Sequence, residues 1–219
     1  MPATVGAPTL ILVPTELELA RLSDHGGFPT GIGLVRTCGF GPVAAAARTS
    51  ALLARLSPAR VVLVGIAGSY DARELAIGTA VQFEEVAIEG IGVGEGERLI
   101  APPALGFPQW PSPPRGAAIH DRLALTPLPS ALPAARLIVT TCAASDSVEQ
   151  ARVRRARFPE ARAEDMEAFG VALACALEDV PLTVVRGISN EVGDRDPKRW
   201  RIPSALCAAR ELVLALLTS

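Results

Sequence analysis

Three short stretches place carboxylates or amides where an apolar run starts or stops. Thr15-Glu16-Leu17-Glu18 follows TLILV, Asp165-Met166-Glu167 opens an apolar segment, and Ser189-Asn190 ends LTVVRGIS. The chemistry open to such groups is narrow: a carboxylate can take a proton from water or hold hydroxyls, and an amide can hydrogen-bond the edge of a heterocycle. His25 and His120 stand alone, without ligand spacing to another His or Cys, so no metal is expected. No Ser-His-Asp or Cys-His arrangement can be placed either, and no cofactor is implied. The turn Gly65-Ile66-Ala67-Gly68-Ser69 follows a strand pattern but is neither G-x-G-x-x-G nor a phosphate loop.

Each stretch also has a purely structural reading. Thr15 and Glu18 have the spacing of a capping box, which would account for both residues. Glu16 and Glu18 nevertheless emerge directly after the first strand, where a carboxylate can reach a site at the sheet's edge. Asp165 reads as an N-cap and Glu167 as a first-turn carboxylate favoured by the helix dipole. The helix they open is so apolar that its first turn faces protein or ligand rather than open water. Glycine after a buried strand serves simply to turn the chain, although the carboxyl ends of strands in open α/β sheets are also where ligands bind.

The elements that must position these groups alternate from end to end. Thr9–Val13 reads as a buried strand, Thr15 to about Asp24 as a helix, GIGLVRT as a strand and Pro42–Leu56 as an Ala-rich helix. RVVLVGIAG is the strongest strand pattern; TAVQFEEVAI and ARLIVTT add two more. Asp165–Glu178 is expected as a helix, LTVVRGIS as a strand and Ser204–Leu217 as a closing amphipathic helix. This alternation predicts an α/β fold, a sheet covered by helices on both faces. Residues 1–219 are expected to form a single domain. Within it Ala101–Gly116, with six prolines and no periodicity, reads as a long loop, either a binding loop or a plain surface excursion.

Composition narrows the partners. Hydrophobic residues make up 49% and charged residues 20%, which argues against disorder, and no apolar run is long enough to span a membrane. With 21 basic and 23 acidic residues the chain lacks the positive excess of a nucleic-acid binder. A small-molecule partner is therefore expected, with neither nucleic acid nor membrane. Cys38, Cys142, Cys175 and Cys207 have no C-x-x-C spacing and read as small buried hydrophobes in a reducing compartment. The opening MPATVGAPT has neither a charged nor an apolar leader region, so the cytoplasm is the expected location.

FPEARAEDMEAFGVALACALEDVPLTVVRGISNEVGDRD resembles the C-terminal half of nucleosidases in the purine nucleoside phosphorylase superfamily, where a Met-Glu pair opens a helix and an R-x-I-S-D/N strand end follows. CGFGPVAAAARTSALL, VVLVGIAGSYDARELAIGTAVQFEEVAI and LILVPTELELARL are similar to the family's earlier elements, so the resemblance covers nearly the whole chain apart from the Pro-rich loop. It implies a three-layer α/β/α fold with a central mixed sheet. Within the superfamily, PTELE, GIAGSYDA and SNEVGDRD are most similar to the futalosine hydrolases of the alternative menaquinone pathway. The methylthioadenosine/S-adenosylhomocysteine nucleosidases are the alternative, and a nucleoside-binding protein without catalysis is a third reading. A phosphorylase fits less well, because no Arg-rich phosphate site can be placed.

The resemblance also distributes roles. Glu18 would position or deprotonate water, Glu167 would hold the ribose hydroxyls and Met166 would pack on the sugar. Ile66, Ala67, Gly68, Asp165 and Ser189 would line the nucleoside. Ile66 stands where the methylthioadenosine-type nucleosidases have Ser, and Asn190 where they have the catalytic Asp. An Asp could hand a proton to purine N7, whereas Asn can only donate hydrogen bonds. That suits a 6-oxopurine, whose leaving anion spreads charge onto O6 as well as N7. Asp194 and Asp196 fall in a polar loop, solvated or folded over the base. Phe107, Trp110 and Arg115 of the Pro-rich loop are candidates for the aromatic carboxylate on the 5′ side of futalosine. The resemblance further implies a homo-oligomer whose neighbouring subunit completes the 5′ pocket.

Overall fold

The first strand shows how the chain builds its layers. In β1 (Thr9–Val13) every residue after the first is buried, and alternation sends Leu10 and Leu12 to one face and Ile11 and Val13 to the other. On the first face Leu10 and Leu12 join Ala45, Leu52 and Leu53 of α2 (Pro42–Leu56) and Phe169, Ala172 and Cys175 of α5 (Ala168–Leu177). On the second, Ile11 and Val13 meet Leu22 of α1 (Glu16–Asp24) and Leu206, Ala209 and Val213 of α6 (Ile202–Thr218). A continuous apolar run is thus the signature of a strand buried on both sides, and the expected α/β architecture with helices on both faces is what the structure has. It is a computed structural model that describes residues 7–131 and 134–218; residues 1–6, which begin the segment read for a leader, lie outside the described residues.

The remaining elements are β2 (Leu34–Thr37), β3 (Arg60–Ser69), β4 (Ala80–Glu89), the short α3 (Pro102–Leu105), β5 (Arg122–Ala124), β6 (Ala135–Thr141), α4 (Val148–Arg157), β7 (Ala161–Asp165) and β8 (Leu182–Glu191). Among the described residues the eight strands join one mixed sheet. β1 runs parallel to β2 and β3, and β3 runs parallel to β8 along most of its length. β8 pairs antiparallel with β4, β4 parallel with β6, β6 parallel with β7, and the end of β7 returns antiparallel to Gly68 and Ser69 of β3. These pairings close a ring, so the carboxyl ends of β1, β3, β7 and β8 converge at one place. That is the position where α/β sheets bind ligands.

Several sequence expectations are corrected here. The helix expected at Asp165–Glu178 begins only at Ala168, with Glu167 as its N-cap, because Asp165 is still paired in the sheet, opposite Thr140. Only Leu34–Thr37 of GIGLVRT is strand. The Pro-rich segment carries α3 and an isolated bridge between Trp110 and Ile119. Cys38 and Cys175 are buried as expected, but Cys142 is exposed and Cys207 half-buried. Among the described residues no helix is long and apolar enough to cross a membrane, and no group of three or more His, Cys, Asp or Glu is placed to hold a metal.

Candidate active site

The convergence of strand ends encloses a cavity of about 330 Å³. Its wall includes Glu18, Ile66, Ala67, Gly68, Asp165, Met166, Glu167, Ser189 and Asn190, all the residues to which the sequence assigned a site role except those of the Pro-rich loop. The polar members come from positions scattered between 18 and 190, and the fold brings them together.

Glu18 owes its place to the turn after β1. Thr15 caps α1, its hydroxyl accepting from the Glu18 amide at 3.2 Å. The Glu18 carboxylate accepts from that same hydroxyl at 2.7 Å and, through its other oxygen, from the Ile66 amide at 3.1 Å. Only half of the anticipated capping box forms; the carboxylate is turned inward and 7% exposed. Glu16 points elsewhere, accepting from the Thr37 hydroxyl at 2.9 Å on the exposed side of the helix.

Beside it lies a residue that the sequence reading passed over. Arg186 in β8 is fully buried, its Nε and Nη2 donating to Asp165 Oδ2 at 3.1 and 2.6 Å, with Glu167 Oε2 at 3.6 Å from Nη2. Its Nη1 is buried and has no hydrogen-bond partner among the described residues. Gly65 explains how the guanidinium fits: a Cβ there would collide with Arg186 Nη1 and stand 2.8 Å from Glu18 Oε1. Nη1 and the Glu18 carboxylate therefore flank one backbone position. A lone Arg inside the run LTVVRGIS was the available signal, because a buried cation needs acidic partners.

Asp165 is saturated. Besides Arg186 it accepts from the Thr140 hydroxyl at 2.6 Å and, as a cap supplied from the strand end, from the Ala168 amide at 3.0 Å. It lines the cavity but spends its oxygens on holding Arg186 and α5. Glu167 is less committed, with one oxygen accepting from the Gly41 amide at the N-terminus of α2, 3.1 Å away. Burial pushes its pKa up to about 7; the attraction of Arg186 only partly opposes this, and the negative charge of Asp165 adds to it. Glu167 thus offers a carboxylate near its titration point to anything bound beside Met166.

At the opposite wall β8 carries a bulge: Ala67 pairs with Ile188 and Gly68 with Asn190, leaving Ser189 as the extra residue. Strand neighbours ordinarily face opposite ways, and the bulge lets both Ser189 and Asn190 line the cavity. The Ser189 hydroxyl donates to Asn190 Oδ1 at 2.7 Å, and Asn190 Nδ2 donates to the Glu191 carbonyl at 2.8 Å. The carbonyl acceptor fixes which end of the amide is nitrogen. Among the described residues one N–H of Asn190 is left to donate, rather than the two that residue type alone allows.

Ala144, Ser145 and Glu164 complete this side and were not anticipated. The Glu164 carboxylate accepts from the Ser145 amide at 2.7 Å, the Ser145 and Tyr70 hydroxyls at 3.0 Å each, and Arg154 Nη1 at 2.5 Å, bracing the segment that follows β6. No local pattern announces a pairing across 19 residues. In contrast, the structure does not bring Phe107, Trp110 and Arg115 to the cavity. Phe107 is 75% exposed, the Trp110 indole donates to the Ser112 carbonyl, and Arg115 pairs with Asp179 at 2.9 Å beside a separate surface depression. In this chain the Pro-rich segment packs along the β5 side, away from the strand ends that form the cavity.

Taken as chemistry, the cavity is lined by the Glu18 carboxylate, with the Arg186 guanidinium buried behind it, by a second carboxylate, Glu167, and by the fixed amide of Asn190. Such an arrangement can activate water, hold hydroxyls and receive a leaving heterocycle. Residues 30–218 match the Phosphorylase superfamily. The chain is 34% identical to the futalosine hydrolase of Streptomyces coelicolor over 91% of this chain and 83% of that protein, and 32% identical to the futalosine hydrolase of Thermus thermophilus over 95% and 94%. Among solved structures, the 5′-methylthioadenosine/S-adenosylhomocysteine nucleosidase of Colwellia psychrerythraea, in complex with adenine, superposes with a TM-score of 0.72 at 26% identity, covering 95% of this chain and 93% of that one. Fold, cavity and relatives converge: this chain belongs to the phosphorylase superfamily, and its relatives there are nucleosidases.

Proposed function

We propose that this protein hydrolyses the N-glycosidic bond of futalosine, releasing hypoxanthine and dehypoxanthine futalosine in menaquinone biosynthesis. The observation that carries the choice of base is Asn190, a neutral amide pinned by Ser189 at the wall where a general acid would otherwise stand. It has no proton to transfer, which disfavours expulsion of adenine, but its free N–H can stabilise negative charge on a departing 6-oxopurine.

Glu18, on the cavity wall, takes a proton from a water held at its carboxylate. The water oxygen forms a bond to C1′ as the C1′–N9 bond breaks and its electron pair passes to the purine, which then acquires its proton from solvent. Glu167 accepts hydrogen bonds from the ribose hydroxyls, contacts that strengthen as positive charge grows on the sugar. Met166 packs on the sugar ring. No phosphate is required.

The protein acts in the cytoplasm as a homo-oligomer, on a small nucleoside and water, without nucleic acid or membrane. Leu17 and Phe40, on the cavity wall yet 64% and 65% exposed, form an apolar rim suited to a neighbouring subunit. Light scattering coupled to size exclusion tests the assembly. Turnover of futalosine in phosphate-free buffer tests the function, and an Asn190→Asp variant tests the base assignment: its preference should move toward adenine nucleosides, and an unchanged preference would remove Asn190 from the leaving-group side. A methylthioadenosine/S-adenosylhomocysteine-type nucleosidase is the second reading, favoured by the adenine complex of the Colwellia relative.

A further inference from the structure

A 6-oxopurine presents two acceptors on one edge, N7 and O6, while Asn190 has one N–H left to give. Some other donor must meet the second acceptor if the base is to be read and its charge offset. The loop after β8 contains one. It is tied to the sheet at both ends, the Val192 amide donating to Ser69 O at 2.8 Å and the Arg201 amide to Ser189 O at 2.7 Å. Gly193, at φ 89°, presses against Ser147, where a Cβ would come within 2.7 Å of backbone. The Trp200 indole donates to Asp194 O at 3.0 Å. This loop is braced, and Val192, Gly193, Arg195 and Trp200 all line the cavity.

Of the basic residues in that loop, Arg195 is the one that lines the cavity. Its guanidinium carbon lies 4.9 Å from the centre of the Trp200 ring. The adjacent carboxylates are already engaged by Arg199, which approaches Asp194 at 2.6 Å and Asp196 at 3.8 Å. Among the described residues Arg195 makes no ion pair, so its fork of donors is available. A guanidinium is the group that pairs with the O6/N7 edge, whereas adenine offers an amine donor at that corner and would face it like to like.

We propose that Arg195, resting on Trp200, is a specificity-determining residue that donates to O6 of a 6-oxopurine while Asn190 serves N7. As the C1′–N9 pair moves onto the ring, Arg195 supplies a positive charge in place of a transferred proton. The inference rests on the futalosine reading.

The test compares kcat/KM for futalosine with that for the same nucleoside carrying adenine, in wild type, Arg195→Gln and Arg195→Lys. Arg195 is exposed, so both variants should fold, which circular dichroism checks. The ratio of 6-oxo to 6-amino turnover should fall about tenfold or more in Arg195→Gln, with partial recovery in Arg195→Lys, which keeps the charge but loses the fork. Hypoxanthine affinity, titrated directly, should weaken more than adenine affinity. Wild-type release of hypoxanthine with an unchanged ratio in Arg195→Gln would overturn the role of Arg195 alone. A wild type that releases adenine but no hypoxanthine would overturn the futalosine reading and this inference with it.

Discussion

Replacing Arg186 with Met removes the positive charge around which the active-site acids are organised while keeping most of its volume. In the native protein the buried guanidinium holds Asp165 through two hydrogen bonds and stands 3.6 Å from Glu167. Breaking a buried pair by removing one partner costs about 3–5 kcal/mol, because the other charge is left uncompensated. Against a total stability of about 5–15 kcal/mol the variant stays folded but marginal. The loss depends on pH in a defined direction. Glu167 already has its pKa raised to about 7, and without Arg186 it rises further. A group whose folded pKa lies above its unfolded value contributes stability when protonated and loses it as pH climbs through the folded pKa. Each added unit therefore enlarges the penalty by about 1.4 kcal/mol on the alkaline side. Near about pH 5.5 Glu167 is protonated in both proteins and only the Asp165 part of the penalty remains. Urea unfolding followed by the fluorescence of Trp110 and Trp200, at about pH 5.5 and about pH 8, reads this out. A destabilisation below about 1 kcal/mol, or one of equal size at both pH values, would refute the assignment of Arg186 as the counter-ion of these carboxylates.

Other outcomes follow from the same geometry. Glu18→Gln should abolish turnover while Glu16→Gln, whose carboxylate reaches only Thr37, stays close to wild type; steady-state kinetics on futalosine would expose a reversed pattern. kcat/KM should fall as pH drops below about 7 with the slope of one proton, as the Glu167 carboxylate is lost. Bound ribose hydroxyls favour the ionised form and should move the same limb of kcat to lower pH, so a profile flat into the acid range would deny Glu167 that contact. Replacing Trp110 and Arg115 together with Ala should leave the KM for futalosine unchanged, and a raised KM would mean that a neighbouring subunit carries this loop to the site.

What could be read from the sequence tracks how local the cause was. β1, the core of β3 and α2 follow from unbroken apolar runs or Ala-rich periodicity, and the cap by Thr15 lies within four residues of chain. The strand Ala161–Asp165, spelled ARAED, has no β-branched or aromatic residue, and it is a strand because β6 and the end of β3 pair with it. That pairing also moved the start of α5 to Ala168. The helix Val148–Arg157 is charged around most of its circumference, so no apolar stripe marks it. Asn190 was legible as a strand-end amide, but the loss of one of its donors to the Glu191 carbonyl depends on the bulge at Ser189, which only the pairing with β3 creates. Ser145 and Glu164 meet across the whole of α4, and nothing near either residue points to the other.

Base release from futalosine and from methylthioadenosine in phosphate-free buffer, resolved by chromatography, decides which nucleoside this protein cleaves. Hypoxanthine is expected from futalosine and little adenine from methylthioadenosine. Adenine released at a comparable or higher rate would contradict this and make the protein an adenine nucleosidase in which the neutral Asn190 amide serves a base other than a 6-oxopurine.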